Sequence, residues 1–161
     1  MNSTPLTTSP AGLALIEGFE EFRSVRYPDL GGIWTIGYGH VIKGAEASLL
    51  WNATLTKEQA TEILHSDVHT VELYLNATTI RPGCSQNQFD ALVSLAFNIG
   101  LGNFESSTLR KRYLMGNLTA AAQQFVAWNK VRDPHTKMLV DSDGLLHRRL
   151  KEQALFLGRL A

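Results

Sequence analysis

Two carboxylates and a hydroxyl lie close together near the start of this 161-residue chain. Eight residues separate Glu20 from Asp29, and five more separate Asp29 from Thr35. Cleavage of a glycosidic bond needs one protonated carboxyl group and one ionised carboxyl group at the same pH. A hydroxyl can both donate and accept a hydrogen bond, so it can hold the attacking water. Such spacing also occurs in unrelated proteins, so the surrounding residues must decide.

The surroundings predict different states for the two acids. We expect Glu20 in the last turn of a helix that starts at Ser9-Pro10, because a capping hydroxyl followed by proline is typical of a helix start. The negative end of that helix and burial against Phe19 would favour a protonated Glu20. Asp29 precedes the turn at Gly31-Gly32, where water keeps it ionised. The residues therefore predict Glu20 as general acid and Asp29 as base or electrostatic partner.

The residues around these three match a longer pattern: Leu15, Ile16, Phe19, Glu20, Arg23, Tyr27, Asp29 and the run GIWTIGYG at 32–39. This pattern resembles the catalytic signature of phage lysozymes of the T4-like and lambdoid type, glycoside hydrolase family 24. The resemblance extends from Leu15 to about Phe156. One departure is Glu21, where the family usually has glycine. We expect Glu21 to point to solvent; the alternative is that it repels the charge of Glu20.

The resemblance implies an α+β, mainly helical lysozyme-like fold, with a small antiparallel β-sheet lobe and a larger helical lobe flanking a cleft. It also implies an endolysin that hydrolyses the β-1,4 bond between N-acetylmuramic acid and N-acetylglucosamine in peptidoglycan and lyses the host cell. The alternatives are a lytic transglycosylase and a non-catalytic peptidoglycan-binding module. Because the transglycosylase needs no positioned water, the presence of Asp29 and Thr35 favours hydrolysis, and Thr35 favours inversion.

By position, the resemblance also implies glycan contacts for Phe97, for Ser107 or Thr108, for Val41 and for Arg148. Two of these have an alternative interpretation. Phe97 lies in the most apolar stretch of the chain, so it is equally consistent with a core residue. Arg148 lies in the motif Gly144-Leu145, Arg148-Arg149 and Glu152; it could pair with Glu20 or form part of a surface arginine pair. The resemblance further implies an ion pair between His40 and Asp67 that joins the lobes.

The overall composition excludes several classes of function. Lysine and arginine total 15, as do aspartate and glutamate, so no general positive field favours nucleic acid. The single cysteine, Cys84, rules out an intramolecular disulfide and has no histidine-rich partner set. His65 and His69 lack a third ligand, so we expect neither a metal nor another cofactor. We expect a monomer without stable membrane insertion that stays in the host cytoplasm, without a signal peptide, until it is released to the cell wall.

Capping residues and local composition along the chain predict the helices and strands that support the site. We expect one catalytic domain over residues 1–161, with an N-terminal lobe at about 1–55 and a connecting helix and helical lobe at about 56–161. Thr56 with Gln59 and Ser85 with Gln88 are capping boxes that start two long helices. Residues 22–42 favour two or three strands, residues 104–115 and 118–128 two short helices, and residues 131–143 a polar connection. Residues 1–8 are expected to be loose. A final basic helix either packs on the core or disturbs membranes.

Overall fold

The structure, a computed structural model, describes residues 4–29 and 31–160. Residues 1–3, Leu30 and Ala161 lie outside the described residues. The predicted α+β class is confirmed: helices dominate, and two small antiparallel sheets accompany them. The helices are α1 (Pro10–Phe19), α2 (Ala47–Leu50), α3 (Lys57–Thr78), α4 (Gln86–Ile99), α5 (Leu101–Ser106), α6 (Thr108–Leu114), α7 (Leu118–Gln123) and α8 (Asp143–Phe156). The strands are β1 (Arg23–Pro28), β2 (Trp34–Gly37), β3 (His40–Val41), β4 (Lys130–Arg132) and β5 (Leu139–Asp141).

The first sheet follows α1 directly and has the order β1-β2-β3. Tyr27 pairs with Thr35, and Thr35 pairs in turn with Val41, so β2 is the central strand. Gly37 and Gly39 have φ values of +67° and +81°, which glycine adopts without strain. A Cβ at Gly37 would lie 3.2 Å from the Cβ of Ala60 on α3. This close approach seats the sheet against the long helix.

The predicted helix starts are confirmed. The Ser9 hydroxyl accepts from the Gly12 N–H, with Pro10 in the first turn. Both capping boxes are present, at Thr56 and at Ser85. Because α4 is buried at every position from Phe89 to Ala96, it forms the centre of the core, packed between α1, α3 and α8. Burial of these apolar side chains is the main favourable contribution to folding.

The N-terminal segment differs from the prediction of a loose tail, in residues 4–8 that the structure describes. The side-chain amide of Asn76 pairs with both the N–H and the carbonyl of Leu6, at 3.0 and 2.8 Å. The Thr8 N–H donates to the buried Glu72 carboxylate at 2.6 Å. Polar side chains of α3 thus supply backbone partners that the segment cannot provide for itself, which is why its own composition did not indicate order.

Two further segments differ from the predictions. Residues 131–143 are not only a polar connection, because β4 and β5 pair there as a hairpin, with Val131 opposite Val140. The two short helices are divided into more pieces, since Ser107 ends α5 and caps α6, and a 3-10 turn at Phe125–Trp128 follows α7. Leu155 and Phe156 of α8 pack in the core, as expected for a helix that supports the fold. In the described part of the chain, no helix combines the length and the apolarity that crossing a bilayer requires.

Candidate active site

Glu20 is the residue that ends α1. It has extended backbone angles, and its N–H donates to the Glu17 carbonyl at 3.2 Å, so it lies just beyond the last helical turn rather than within it. Its side chain is 21% exposed. Arg148 Nη1 donates to Glu20 Oε1 at 2.6 Å. The acid candidate is therefore accessible, stands at the negative end of a helix, and is held by a full positive charge.

Arg148 and Arg149 are not a surface pair, so that interpretation of the motif is wrong. Their exposures are 3% and 0%. Between them lies Glu152, whose Oε1 accepts from Arg148 Nε at 3.1 Å, from Arg149 Nη2 at 3.0 Å and from Ser94 Oγ at 2.6 Å. Burial lowers the pKa of Arg149 to about 10, which still leaves it charged at neutral pH. Burial raises the pKa of Glu152, and the two guanidinium groups act against that rise.

Asp29 is held by its own turn. Its Oδ1 accepts from the N–H groups of Gly31 and Ile33, both at 2.8 Å. The Asp29 N–H in turn donates to the Ile33 carbonyl at 2.8 Å. Because Pro28 pairs with Trp34, this turn lies at the start of β2 and one residue from Thr35. The second carboxylate is thus fixed by neutral backbone groups within five residues of chain.

Thr35 lies on the central strand with 3% exposure, and its hydroxyl donates to the Tyr27 carbonyl at 3.2 Å. That bond leaves the oxygen lone pairs free to accept. The Glu20 carboxylate approaches the turn between β2 and β3, since a Cβ at Gly39 would lie 3.9 Å from Glu20 Oε2. Thr35 thus lies on β2, Asp29 in the turn before it and Glu20 beside the turn after it.

Two adjoining cavities share Glu20 and Tyr38. The smaller, of about 250 Å³, is also lined by Phe97, Asp67, Gly39 and Asn98. The larger, of about 440 Å³, is lined on its other sides by Ala14, Glu17, Gly18, Phe22 and Lys57. Phe97 thus lies at the end of α4 beside the acid candidate, where it is partly exposed to the cavity and also packs against the core. Its contact with a glycan stays a prediction.

Tyr38 and Glu17 were not singled out from the sequence, although both line the larger cavity. The Tyr38 hydroxyl donates to Glu17 Oε1 at 2.7 Å, and the Thr61 hydroxyl donates to the same oxygen at 3.3 Å. The pKa of Tyr38 is raised, first by the hydrogen bond to Glu17 and then by burial. Glu17 therefore joins α1, the β2–β3 turn and α3 beside Glu20. Its spacing of three from Glu20 on one helix is the signal that sequence reasoning passed over.

The predicted pair of His40 and Asp67 is confirmed, with His40 Nδ1 at 2.8 Å from Asp67 Oδ2. The other ring nitrogen lies 3.2 Å from Glu46 Oε1. The hydrogen bond to Asp67 raises the pKa of His40, although burial opposes it. The pair fastens β3 to α3. Asp67 also lines the cavity at Glu20, a second role that the sequence did not suggest.

The remaining candidates differ in how accessible they are. Val41 is 37% exposed on the edge strand β3. Ser107 is 4% exposed, and its hydroxyl donates to the Phe104 carbonyl at 2.6 Å and accepts from the Arg110 N–H at 3.1 Å. Ser107 is thus a helix cap, and Thr108, the other candidate, is the exposed one. Glycan contacts for Val41 and for either hydroxyl stay predictions.

Glu21, which stands where the family usually has glycine, does not lie against the Glu20 carboxylate. Glu21 is 74% exposed and pairs with Arg23 at 3.0 Å, so it faces solvent as predicted.

Cys84 is half-buried, and burial raises the pKa of its thiol, which disfavours a nucleophilic thiolate. Within the described residues, no three His, Cys, Asp or Glu side chains are grouped in a way that would hold a metal ion.

Comparison with known proteins gives concordant matches. Residues 17–152 match the family model described as phage lysozyme. The endolysin of Salmonella phage P22 is 39% identical over 151 residues, which covers 93% of this chain and 97% of that protein. A solved endolysin from Escherichia coli O157:H7 phage FAHEc1 has a TM-score of 0.84 at 35% identity, covering 98% of this chain and 97% of that one. The muramidase domain of SpmX from Asticaccaulis excentricus has a TM-score of 0.81 at 33% identity, covering 94% and 97%.

Proposed function

Because the chain belongs to the phage lysozyme family and is an endolysin of the lysozyme type, we propose that Glu20, Asp29 and Thr35 carry out its reaction. The reaction is hydrolysis of the β-1,4 bond between N-acetylmuramic acid and N-acetylglucosamine in peptidoglycan. The observation that carries the proposal is the contrast between Glu20 and Asp29. Both carboxylates belong to the surroundings of β2, but they have different partners.

Glu20 donates its proton to the glycosidic oxygen as the bond breaks. Its position at the end of α1 and its exposure to two cavities support this role, because a general acid must reach the leaving group. Arg148 holds Oε1, which leaves Oε2 to carry the proton toward the cleft. The Asp29 carboxylate either activates the water or stabilises the developing positive charge. Thr35 accepts a hydrogen bond from the water, since its own proton is given to the Tyr27 carbonyl.

Substrate contacts are proposed for the partly exposed side chains that border this region. Phe97 offers an apolar ring beside Glu20, and Val41 and Thr108 offer exposed surface on β3 and α6. Arg148 binds the acid and would meet substrate only through it. We also propose that the protein acts as a monomer and reaches the wall from the host cytoplasm through a separate membrane lesion. Size-exclusion chromatography and fractionation of expressing cells test these two statements.

The decisive test compares two neighbouring glutamates. Glu20→Gln is expected to slow the clearing of chloroform-treated Gram-negative cells by about 10²–10⁴-fold, the usual contribution of a general acid. Glu21→Gln, a matched change in the exposed neighbour, is expected to clear at the wild-type rate. Circular dichroism checks that both variants fold. Normal clearing by Glu20→Gln would refute the assignment of the acid.

The released sugars distinguish the proposed reaction from its alternatives. Hydrolysis gives muropeptides with ordinary reducing ends, which mass spectrometry identifies. Anhydro-muramic ends would instead show a lytic transglycosylase. Binding to isolated walls without any fall in turbidity would show a non-catalytic module. Thr35→Val, which keeps the shape of a buried side chain, is expected to reduce the rate of hydrolysis while the protein stays folded.

A further inference from the structure

One buried carboxylate has no part in the proposed reaction, although it belongs to the same chain of contacts. Glu152 has no exposed surface, and three side chains donate to its Oε1: Arg148, Arg149 and Ser94. A second contact joins its Oε2 to Arg149 Nε at 2.9 Å. A charge buried so deeply is costly unless it is paired. Because Glu152 contacts Arg148, and Arg148 holds Glu20, this buried carboxylate can affect the position of Glu20.

We propose that Glu152 is a positioning residue that sets the place and the charge balance of Glu20 through Arg148. The inference rests on the proposed role of Glu20 as the acid. One guanidinium makes both contacts, since Arg148 Nε donates to Glu152 and Nη1 donates to Glu20. A guanidinium is planar and rigid, so a shift at one edge is transmitted to the other. Arg148 Nη2 also donates to the Ser94 carbonyl at 3.4 Å, so each of the three guanidinium nitrogens has a partner.

The charges in this cluster predict the direction of the effect. While Glu20 holds its proton, Glu152 alone balances the two guanidinium groups of Arg148 and Arg149. Without the Glu152 charge, both cations would act on Glu20 unopposed and would favour its ionised form. The acid would then lose its proton at a lower pH. The Glu152 charge therefore offsets the two guanidinium charges near Glu20, and its contact with Arg148 Nε holds that arginine in place to orient Glu20.

Other ionisable groups also face Glu20, and the substitutions below leave them unchanged. Among the described residues that line the two cavities at Glu20, they are Glu17 on α1, Tyr38 after β2, and Lys57 and Asp67 on α3; the sequence neighbour Glu21 faces solvent. The hydrogen bonds and ion pairs of the described residues join none of them to Glu152. A change seen on altering Glu152 would therefore act through the α8 arginines.

The test measures wall lysis at limiting substrate across pH. Glu152→Gln, which keeps the shape and removes the charge, is expected to move the alkaline limb of the profile down by about 0.5–1 pH unit. Ser94→Ala removes one hydrogen-bond donor to Glu152. It is expected to move the alkaline limb in the same direction by a smaller amount. Ser85→Ala is the matched control, because it removes a capping hydroxyl from the same helix, α4. It is expected to lower the melting temperature and leave the limb where it is.

A second pair of measurements separates positioning from simple stability. Glu152→Asp retains the charge with a shorter reach, so its limb should stay near the wild-type position while its maximal rate falls. If Glu152→Gln does not fold, Ser94→Ala and Glu152→Asp decide. Wild-type limbs in every folded variant, with only a lower melting temperature, would overturn the proposal.

Carbon-13 NMR makes the test independent of lysis. The Glu20 carboxyl resonance, assigned by its loss in Glu20→Gln, is expected to titrate at lower pH in Glu152→Gln than in the wild type. That result in a protein without lytic activity would support this inference and refute the proposed function. If the Glu20 resonance titrates at the same pH in Glu152→Gln as in the wild type, and the wild type is lytic, this inference is refuted and the proposed function is retained.

Discussion

The two carboxylates proposed for the reaction are held in opposite ways. Asp29 accepts hydrogen bonds from Gly31 and Ile33, so its partners are neutral backbone groups of its own turn. Glu20 is held by Arg148, whose position is 128 residues further along the chain. Arg148 is in turn held by Glu152 and by the carbonyl of Ser94. One acid depends on the local geometry of its turn, and the other depends on charged side chains of the distant helix α8.

This difference gives two chemically similar groups different electrostatic surroundings. A turn places Asp29 accurately and leaves it close to water. A buried ion-pair cluster places Glu20 as well, and Glu152 contacts the same guanidinium that holds it. Substitutions should therefore affect catalysis and stability together on the Glu20 side and separately on the Asp29 side.

The largest expected effect is on the local side of the comparison. Asp29→Asn keeps an oxygen for the Gly31 and Ile33 N–H groups and loses the charge, so lysis should fall by about 10²–10⁴-fold with little change in stability. Turbidity and urea denaturation measure the two quantities. Asp29→Ala should also lower the free energy of unfolding, by about 1–2 kcal/mol, because the turn loses its acceptor. Equal loss of stability in both variants would contradict the proposed separation.

Arg148→Met tests the distant side. It leaves Glu152 buried with one guanidinium fewer, so the free energy of unfolding should fall by about 3–5 kcal/mol, together with activity. Urea denaturation measures the loss. Arg23→Met is the control, because its ion pair with Glu21 is exposed and should contribute little. A stable Arg148→Met variant would show that the cluster does not couple stability to the site.

His40 and Asp67 provide an intermediate case, with partial burial and a titrating partner. The folded pKa of His40 lies above its ordinary value of 6.5, so the pair stabilises fully below that value and less as pH rises through the folded pKa. Asp67→Asn should therefore cost about 1–2 kcal/mol near pH 5.5 and clearly less near pH 8.5. Thermal unfolding across that range measures it. A loss independent of pH would refute the ion pair as the cause.

The smallest effect belongs to a purely local contact. Thr56→Ala removes the hydroxyl that accepts from the Gln59 N–H at the start of α3. The expected cost is about 1 kcal/mol in the free energy of unfolding. It should be unchanged between pH 5 and 8, because the pKa of Glu58, the carboxyl group that hydrogen-bonds Thr56, is lowered from its ordinary value of 4.5 and this group is ionised throughout that range. Denaturation at several pH values measures this cost. A cost that changes with pH would show that the cap is coupled to the pair of His40 and Asp67, since Asp67 lies on the same helix.

Local signals predicted much of this fold correctly. Ser9, Thr56 and Ser85 start helices as expected, because a cap involves only neighbouring backbone groups. Predictions failed where order comes from distant partners. The segment at Leu6 is held by Asn76, and the hairpin of β4 and β5 forms in a polar stretch whose composition does not favour strands.

The candidate site divides in the same way. The spacing of Glu20, Asp29 and Thr35 and the resemblance to a known family predicted the candidate catalytic groups. Neither revealed that Ser107 is a buried cap, that Glu17 and Tyr38 line the cleft, or that Glu152 stands behind Arg148. Arginine pairs on helices are usually solvated, so nothing in the motif indicated that both of these are buried.

By itself, the sequence determined where α1, α3 and α4 begin, that strands occupy the region of Thr35, and that a turn follows Asp29. Each of these depends on groups within a few residues, whose geometry the backbone fixes. Only the tertiary structure decided what surrounds Glu20, because the charges that act on it come from α8 and reach it through a buried network. Electrostatic effects of that kind depend on distance and burial, and neither quantity is encoded in the spacing of residues along the chain.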